Sequence, residues 1–272
     1  MTSPLDVLKE HYRFQSLLVE LREGVLEVTL NRPERLNTFD QSMRRDFMAL
    51  QWRIERDSDI KAVIFFGAGE RAFGAGADLS FFEEDWATPD FRVEYRWVHD
   101  FFDLLERVEK PVIAAVHGVC ACGGLELAMA CDFRIAAEGS RFGFTEGNIN
   151  LIPGSGGCSR LVSLIGIGWA KELVLAGEFI ETERAMQLGL VTRVVPRERL
   201  QDEARALAAK LTAKAPQALG VSKQVLNACL SMDLTSGRIL ERMAQSTLIL
   251  TDDHKEGVRA FREKRKPRYK GR

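Results

Sequence analysis

Two glutamates and two glycine-rich turns are the residues of this 272-residue chain whose types and spacing can do chemistry together. Glu126 stands three residues after Gly123 in the run CGGLELAMAC, between Leu125 and Leu127. Glu146 stands in SRFGFTEGNINLIPGSGG (140–157), with Phe142 and Phe144 before it and another glycine-rich turn behind. A carboxylate in such apolar company loses hydration, but at position 126 it gains from the positive end of a helix, which favours its staying ionised. Two carboxyls facing one cleft push their proton affinities apart, making one a base and the other an acid. The glycine-rich turns are GERAFGAGADL (69–79) and VCACGGLELA (119–128), each followed by helical patterning. Glycine lets a ligand approach the main chain, and the first amides of a helix lack internal partners and point outward. One amide from each turn, aimed at a single point, stabilises a negative oxygen developing on a carbonyl by about 3–4 kcal/mol in the transition state. Taken singly, each turn could serve packing and each glutamate could pair with an arginine. Together they point to catalysis. Neither turn reads G-x-G-x-x-G or as a Walker A loop, so dinucleotide and nucleoside triphosphate binding are not indicated.

The elements that must position these groups are readable from periodicity. Residues 14–30 read as two short strands with a turn at Glu23-Gly24, and 38–57 as a helix capped by Thr38 or Asp40. AVIFFGA (62–68), PVIAAVHG (111–118) and CDFRIAAE (131–138) are short apolar runs of the kind buried on both faces of a sheet. Helices are expected at 91–108 and about 124–130, so the order of elements predicts an α/β domain with parallel pairing. Past Pro196 the pattern is helical only, over 198–214, from Pro216 to about 230, and over 234–250, with a basic tail (EKRKPRYKGR) at the end. The expected division is a core over 1–197 and a helical region over 198–272.

Composition narrows the function classes. Lys plus Arg number 38 against 39 acidic residues, which argues against nucleic-acid binding. Cys120, Cys122, Cys131, Cys158 and Cys229 are odd in number and read as free thiols in a reducing compartment. The C-x-C pair at 120 and 122 has no companion ligand cluster, so no metal site is expected. The N-terminus does not read as a signal or transit peptide, and no stretch has the length of a membrane span, so a cytoplasmic location is the expectation.

The runs LNRPERLNTF (30–39), AFGAGADLSFF (72–82), KPVIAAVHGVCACGGLELAMACDFRIA (110–136), FGFTEGNINLIPGSGGCSRL (142–161) and EGVRAFREKRKPRYKG (256–271) together resemble the enoyl-CoA hydratase/isomerase (crotonase) superfamily. The resemblance covers about residues 14–271. It implies a spiral of ββα units followed by a C-terminal helical trimerisation region, and assembly as a homotrimer or a dimer-of-trimers hexamer. It places the oxyanion-hole amides on Ala77 and Gly123 and the acid–base pair of a hydratase on Glu126 and Glu146. Ala75, Ala77, Asp78 and Leu79 fall on the family's cradle for coenzyme A. Arg35, Phe261 and Lys264 fall on further coenzyme A contacts, the last two from a neighbouring subunit in some members, with surface charge or helix packing as the alternatives. Three departures stand out: Cys122 replaces a glycine of the second turn, Ser80 stands where some hydratases carry lysine, and Phe144-Thr145 precedes Glu146. The segment 81–91, with Trp86, falls where relatives line the acyl pocket.

The implied reaction is hydration of a 2-enoyl-CoA thioester to a 3-hydroxyacyl-CoA, without a separate cofactor, since coenzyme A is part of the substrate. Another reaction through a thioester enolate (isomerisation, hydrolysis or decarboxylation) is the alternative within the family. A non-catalytic acyl-CoA or RNA-binding scaffold is the alternative outside catalysis.

Overall fold

Strands β1 (Leu17–Arg22) and β2 (Val25–Leu30) form an antiparallel hairpin around Glu23-Gly24, both of which take left-handed backbone. In the computed structural model, which describes residues 12–83, 85 and 87–272, this hairpin is the edge of a six-stranded sheet. Strand β2 pairs in parallel with β3 (Ala62–Gly67), followed across the sheet by β5 (Val112–Val116), β7 (Phe133–Ala137) and β10 (Arg193–Val195). A second, four-stranded sheet holds β4 (Ala72–Gly74), β6 (Val119–Ala121), β8 (Arg141–Gly143) and β9 (Ile180–Glu181), in that order.

The chain alternates between the two sheets. Strand β3 leads to β4 and helix α2 (Thr88–Arg107); β5 leads to β6 and α3 (Gly123–Ala130); β7 leads to β8 and α4 (Gly157–Leu175). Each passage is one ββα turn of a spiral, and each leaves its small-sheet strand at the same end of the molecule. The second sheet escaped the sequence pattern because strands of two or three residues are too short to show alternation. Helix α1 (Gln41–Arg56) links β2 to β3. Asp40 caps it, accepting from the amides of Ser42 and Met43, while Thr38 is engaged elsewhere.

Strands β3 and β5 are apolar throughout, and β7 is apolar but for the buried Arg134, because both faces of the sheet are covered. One face packs on Phe47, Phe101, Leu105 and Leu127. The other carries Ala62, Ile64, Ile113, Ala115 and Ile135, and is covered by Leu200, Ala204, Leu207, Ala208 and Leu211 of helix α6 (Leu200–Thr212). Helix α5 (Thr182–Gln187) precedes β10. Helix α6 thus closes the back of the main sheet. The helices outside that layer are α7 (Pro216–Cys229), α8 (Leu234–Leu248) and α9 (Asp252–Arg262). The last was not evident in the sequence: DDHKEGVRAFR is mostly charged and buries only Asp253 and Ala260. Thr251 fixes its start by accepting from the amide of His254.

Helix α7 is tied to the core by a buried cation. Lys223 Nζ lies 2.8 Å from Asp132 Oδ2 and donates to the carbonyls of Leu105 (2.6 Å) and Lys110 (3.1 Å). Asp132 Oδ2 also accepts from Val112 N at 2.7 Å, so the same carboxylate fixes the start of β5. Lys223→Met would leave a largely buried carboxylate unpaired, a change that costs about 3–5 kcal/mol. Chemical denaturation is expected to show that loss, and the double variant Lys223→Met/Asp132→Asn is expected to recover part of it.

Candidate active site

The site starts with a close approach of two backbone turns. After β4 the chain runs beside residues 36–40: Ala75 N donates to Leu36 O (3.1 Å), Phe39 N to Gly76 O (2.8 Å) and Asp78 N to Phe39 O (2.9 Å). This parallel bridge turns the amide of Ala77 away from Phe39. Helix α3 begins against the same stretch. A Cβ on Gly76 would stand 2.7 Å from both Gly123 N and Cys122 Cβ, and Gly76 has φ +89°, so glycine is required there. Among the described residues, no backbone carbonyl accepts from Ala77 N or Gly123 N. Both residues line one cavity of about 580 Å³. The first glycine-rich turn does not open a long helix, as its patterning suggested. Among the described residues only a 3-10 turn, Leu79–Phe82, follows it, and α2 begins at Thr88. The Ala77 amide is freed by the bridge; the Gly123 amide is freed by the start of a helix.

Asp78 holds this arrangement together. Its carboxylate accepts from Ser80 N, Ser80 Oγ, Thr38 Oγ1 and Arg32 Nη1, the last two at 3.1 Å. Arg32 also reaches Asp40 (3.3 Å) and Thr38 O (2.8 Å). Burial alone would raise the Asp78 carboxyl, but the hydrogen bonds from Ser80, Arg32 and Thr38 outweigh it and hold the group at about 2. Its side chain clasps segment 75–79 to segment 32–40.

Glu126 comes from the first turn of α3 and is 2% exposed. Its Oε1 accepts from Ser155 N (2.7 Å) and Gly157 N (3.0 Å), at the glycine-rich turn that opens α4. Arg160 pins that turn from outside: its guanidinium donates to Ser155 O (2.8 Å) and to Glu106 (2.8 and 2.9 Å) and Asp103 (2.7 Å) on α2. Burial is the largest influence on Glu126 and lifts its carboxyl to about 7. The Ser155 and Gly157 amides pull it down, while the charge of Glu146 pushes it up. The helix start therefore does not keep this acid in the ordinary carboxylate range; desolvation wins.

Glu146 begins a 3-10 turn, Glu146–Ile149, after β8. Burial raises its carboxyl too, against hydrogen bonds from Cys122 and Thr145 that lower it. Its Oε2 is buried without a hydrogen-bond partner among the described residues. The Cys122 thiol lies 3.2 Å from Thr145 Oγ1, and burial together with the Glu146 charge lifts it to about 11. Cys122 has φ +51°, a conformation suited to glycine.

The cavity brings together Glu126, Glu146, Ala77, Gly123, Ala75, Asp78, Leu79 and Arg35. Phe261 and Lys264 do not line it. Phe261, 87% exposed on α9, borders a separate depression in this chain. Tyr95, Ser155 and Gly157 were not singled out in the sequence; only the run PGSGG hinted at the last two. Trp86 lies outside the described residues. Among the described residues, no group of three or more His, Cys, Asp or Glu side chains is placed to hold a metal ion.

The profile described as Enoyl-CoA hydratase/isomerase matches residues 20–272, so the chain belongs to that family. It is 39% identical over 251 residues to the short-chain-enoyl-CoA hydratase of Clostridium acetobutylicum, covering 92% of this chain and 96% of the relative. It is 34% identical over 256 residues to the crotonyl-CoA hydratase of Syntrophomonas wolfei, covering 94% and 98%. The crystal structure of an enoyl-CoA hydratase from Bacillus anthracis superposes with a TM-score of 0.90 at 37% identity, over 95% of this chain and all of that one.

A Cβ at position 157 would stand 2.7 Å from Glu126 Oε1 and 2.4 Å from Pro153 Cβ. Gly157→Ala must therefore displace the carboxylate or its turn. A fall in turnover of about 100-fold is expected, the scale for a displacement near 1 Å, with the fold preserved by circular dichroism.

Proposed function

We propose that this protein is an enoyl-CoA hydratase, adding water across the 2,3 double bond of a 2-enoyl-CoA to give a 3-hydroxyacyl-CoA. The observation that carries the reading is the convergence of Glu126 and Glu146 on the cavity lined by Ala77 and Gly123, whose amides meet no carbonyl among the described residues. The thioester carbonyl oxygen sits on those two amides, which draw electron density out of the double bond and make C3 electrophilic. Glu126 takes a proton from water as the oxygen bonds to C3. Glu146 gives its proton to C2. A group near 7 is matched to proton transfer in neutral solution, and burial raises Glu146 from the ordinary carboxylate range as well. Proton and charge balance, and no separate cofactor enters the reaction.

Ala75, Ala77, Asp78 and Leu79 supply the main-chain cradle for coenzyme A, with the exposed Arg35 for a phosphate. Phe261 and Lys264 would act from a neighbouring subunit of a homotrimer, or of a hexamer built from two trimers. Exposed apolar residues on and beside the C-terminal helices support that assembly: Leu226 (69%), Leu230 (74%), Leu234 (69%), Met243 (64%) and Leu250 (76%). No helix among the described residues is long and apolar enough to cross a membrane. The near balance of charge and the free thiols fit a cytoplasmic enzyme.

Glu126→Gln and Glu146→Gln, assayed separately on crotonyl-CoA, are each expected to lower kcat by about 10²–10⁴-fold. Near-normal turnover in either contradicts the paired role. In the parent enzyme kcat/KM is expected to rise with pH through about 7, as Glu126 loses its proton. That limb belongs to the coupled pair of glutamates.

A further inference from the structure

Beside the reacting centre the cavity wall is a run of aromatic rings. Tyr95 of α2 stands against the turn that holds Glu126: a Cβ on Gly154 would lie 3.5 Å from Tyr95 Cε1, and Ser155 Oγ donates to Tyr95 Oη at 2.8 Å. Ser155 bonds both Tyr95 and Glu126, and Tyr95 lines the same cavity as Glu126 and Glu146. Phe91 stacks on Tyr95, with centroids 5.1 Å apart and planes at 15°. Phe81 lies 6.1 Å from Phe91 and 6.4 Å from Tyr95, and Phe82 meets Phe81 edge-on at 5.3 Å. All four rings line the cavity. The hydroxyl of Tyr95 is engaged by Ser155, and the residue lines the cavity.

An aromatic wall next to the reacting carbons discriminates by shape and quadrupole as well as by apolar area. A ring gains from offset stacking and edge-to-face contact in a way an alkyl chain of equal reach does not. Resting on the hydratase reading above, we propose that this site selects 2-enoyl-CoA thioesters whose acyl chain ends in an aryl ring, seated against Tyr95, Phe91 and Phe81.

The test compares kcat/KM for 5-phenyl-2-pentenoyl-CoA, whose ring is insulated from the double bond, with 2-nonenoyl-CoA, a linear chain of similar reach. Crotonyl-CoA is the reference. The aryl substrate is expected to exceed the linear one by about 2- to 10-fold, the scale of an aromatic pair. In Phe91→Leu and Phe81→Leu that ratio is expected to fall toward one. Because the ratio is taken within one preparation, partial misfolding of a variant does not affect it, and the parent enzyme's preference stands as a test without the variants. Equal or better use of the linear chain by the parent overturns the proposal, as does an unchanged ratio in both variants. Hydration of crotonyl-CoA without aryl preference defeats this proposal alone. Hydration of none of the three defeats the hydratase reading with it.

Discussion

The site depends on one buried carboxylate being held in place. Glu126 has almost no contact with solvent, and its Oε1 is satisfied by two backbone amides from a different turn of the spiral. Those amides can reach it only because residue 157 is glycine, and they stay there because Arg160 ties the turn to Glu106 and Asp103 on α2. A side chain in the first turn of α3 is thus oriented by the start of α4, which is itself braced by α2. Three passages of the chain must be correctly assembled before one proton acceptor is in position.

The same burial sets the chemistry. A carboxylate near a helix start would ordinarily stay in the usual acid range, and the hydrogen bonds from Ser155 and Gly157 pull that way. Removal from water outweighs them and leaves the group near 7, with the charge of Glu146 adding to the rise. Asp78, the residue after Ala77, shows the opposite outcome. There, hydrogen bonds from Ser80, Arg32 and Thr38 win over burial, and the carboxylate becomes a clasp. Two acids in one cavity are assigned different work by how many donors reach each against how much water is lost.

Much of the fold was legible because the large sheet is covered on both faces, which writes β3 and β5 as uninterrupted apolar runs and β7 as one broken only by Arg134. Glu126 and Glu146 were legible for a related reason: an acid inside such a run is conspicuous. The small sheet was not legible, its strands being too short for any period, and α9 was hidden by its charge. That α6 covers the sheet with Leu200, Ala204, Leu207, Ala208 and Leu211 was not legible, because its composition is that of an outer helix. Asp78 fell in a segment whose backbone approaches the cavity. That its side chain is engaged with Arg32, 46 residues earlier, is a tertiary fact with no local signature. Tyr95 and Ser155, 60 residues apart, were invisible for the same reason.

The most direct measurement is the fate of crotonyl-CoA incubated with the protein in ¹⁸O-labelled water, following the enoyl ultraviolet band and the product mass together. Loss of the band with one ¹⁸O bound at C3 of an intact thioester is the expected result. Release of free coenzyme A with ¹⁸O in the carboxylate, or a shifted double bond without ¹⁸O, would contradict hydration and assign the oxyanion amides to a different reaction.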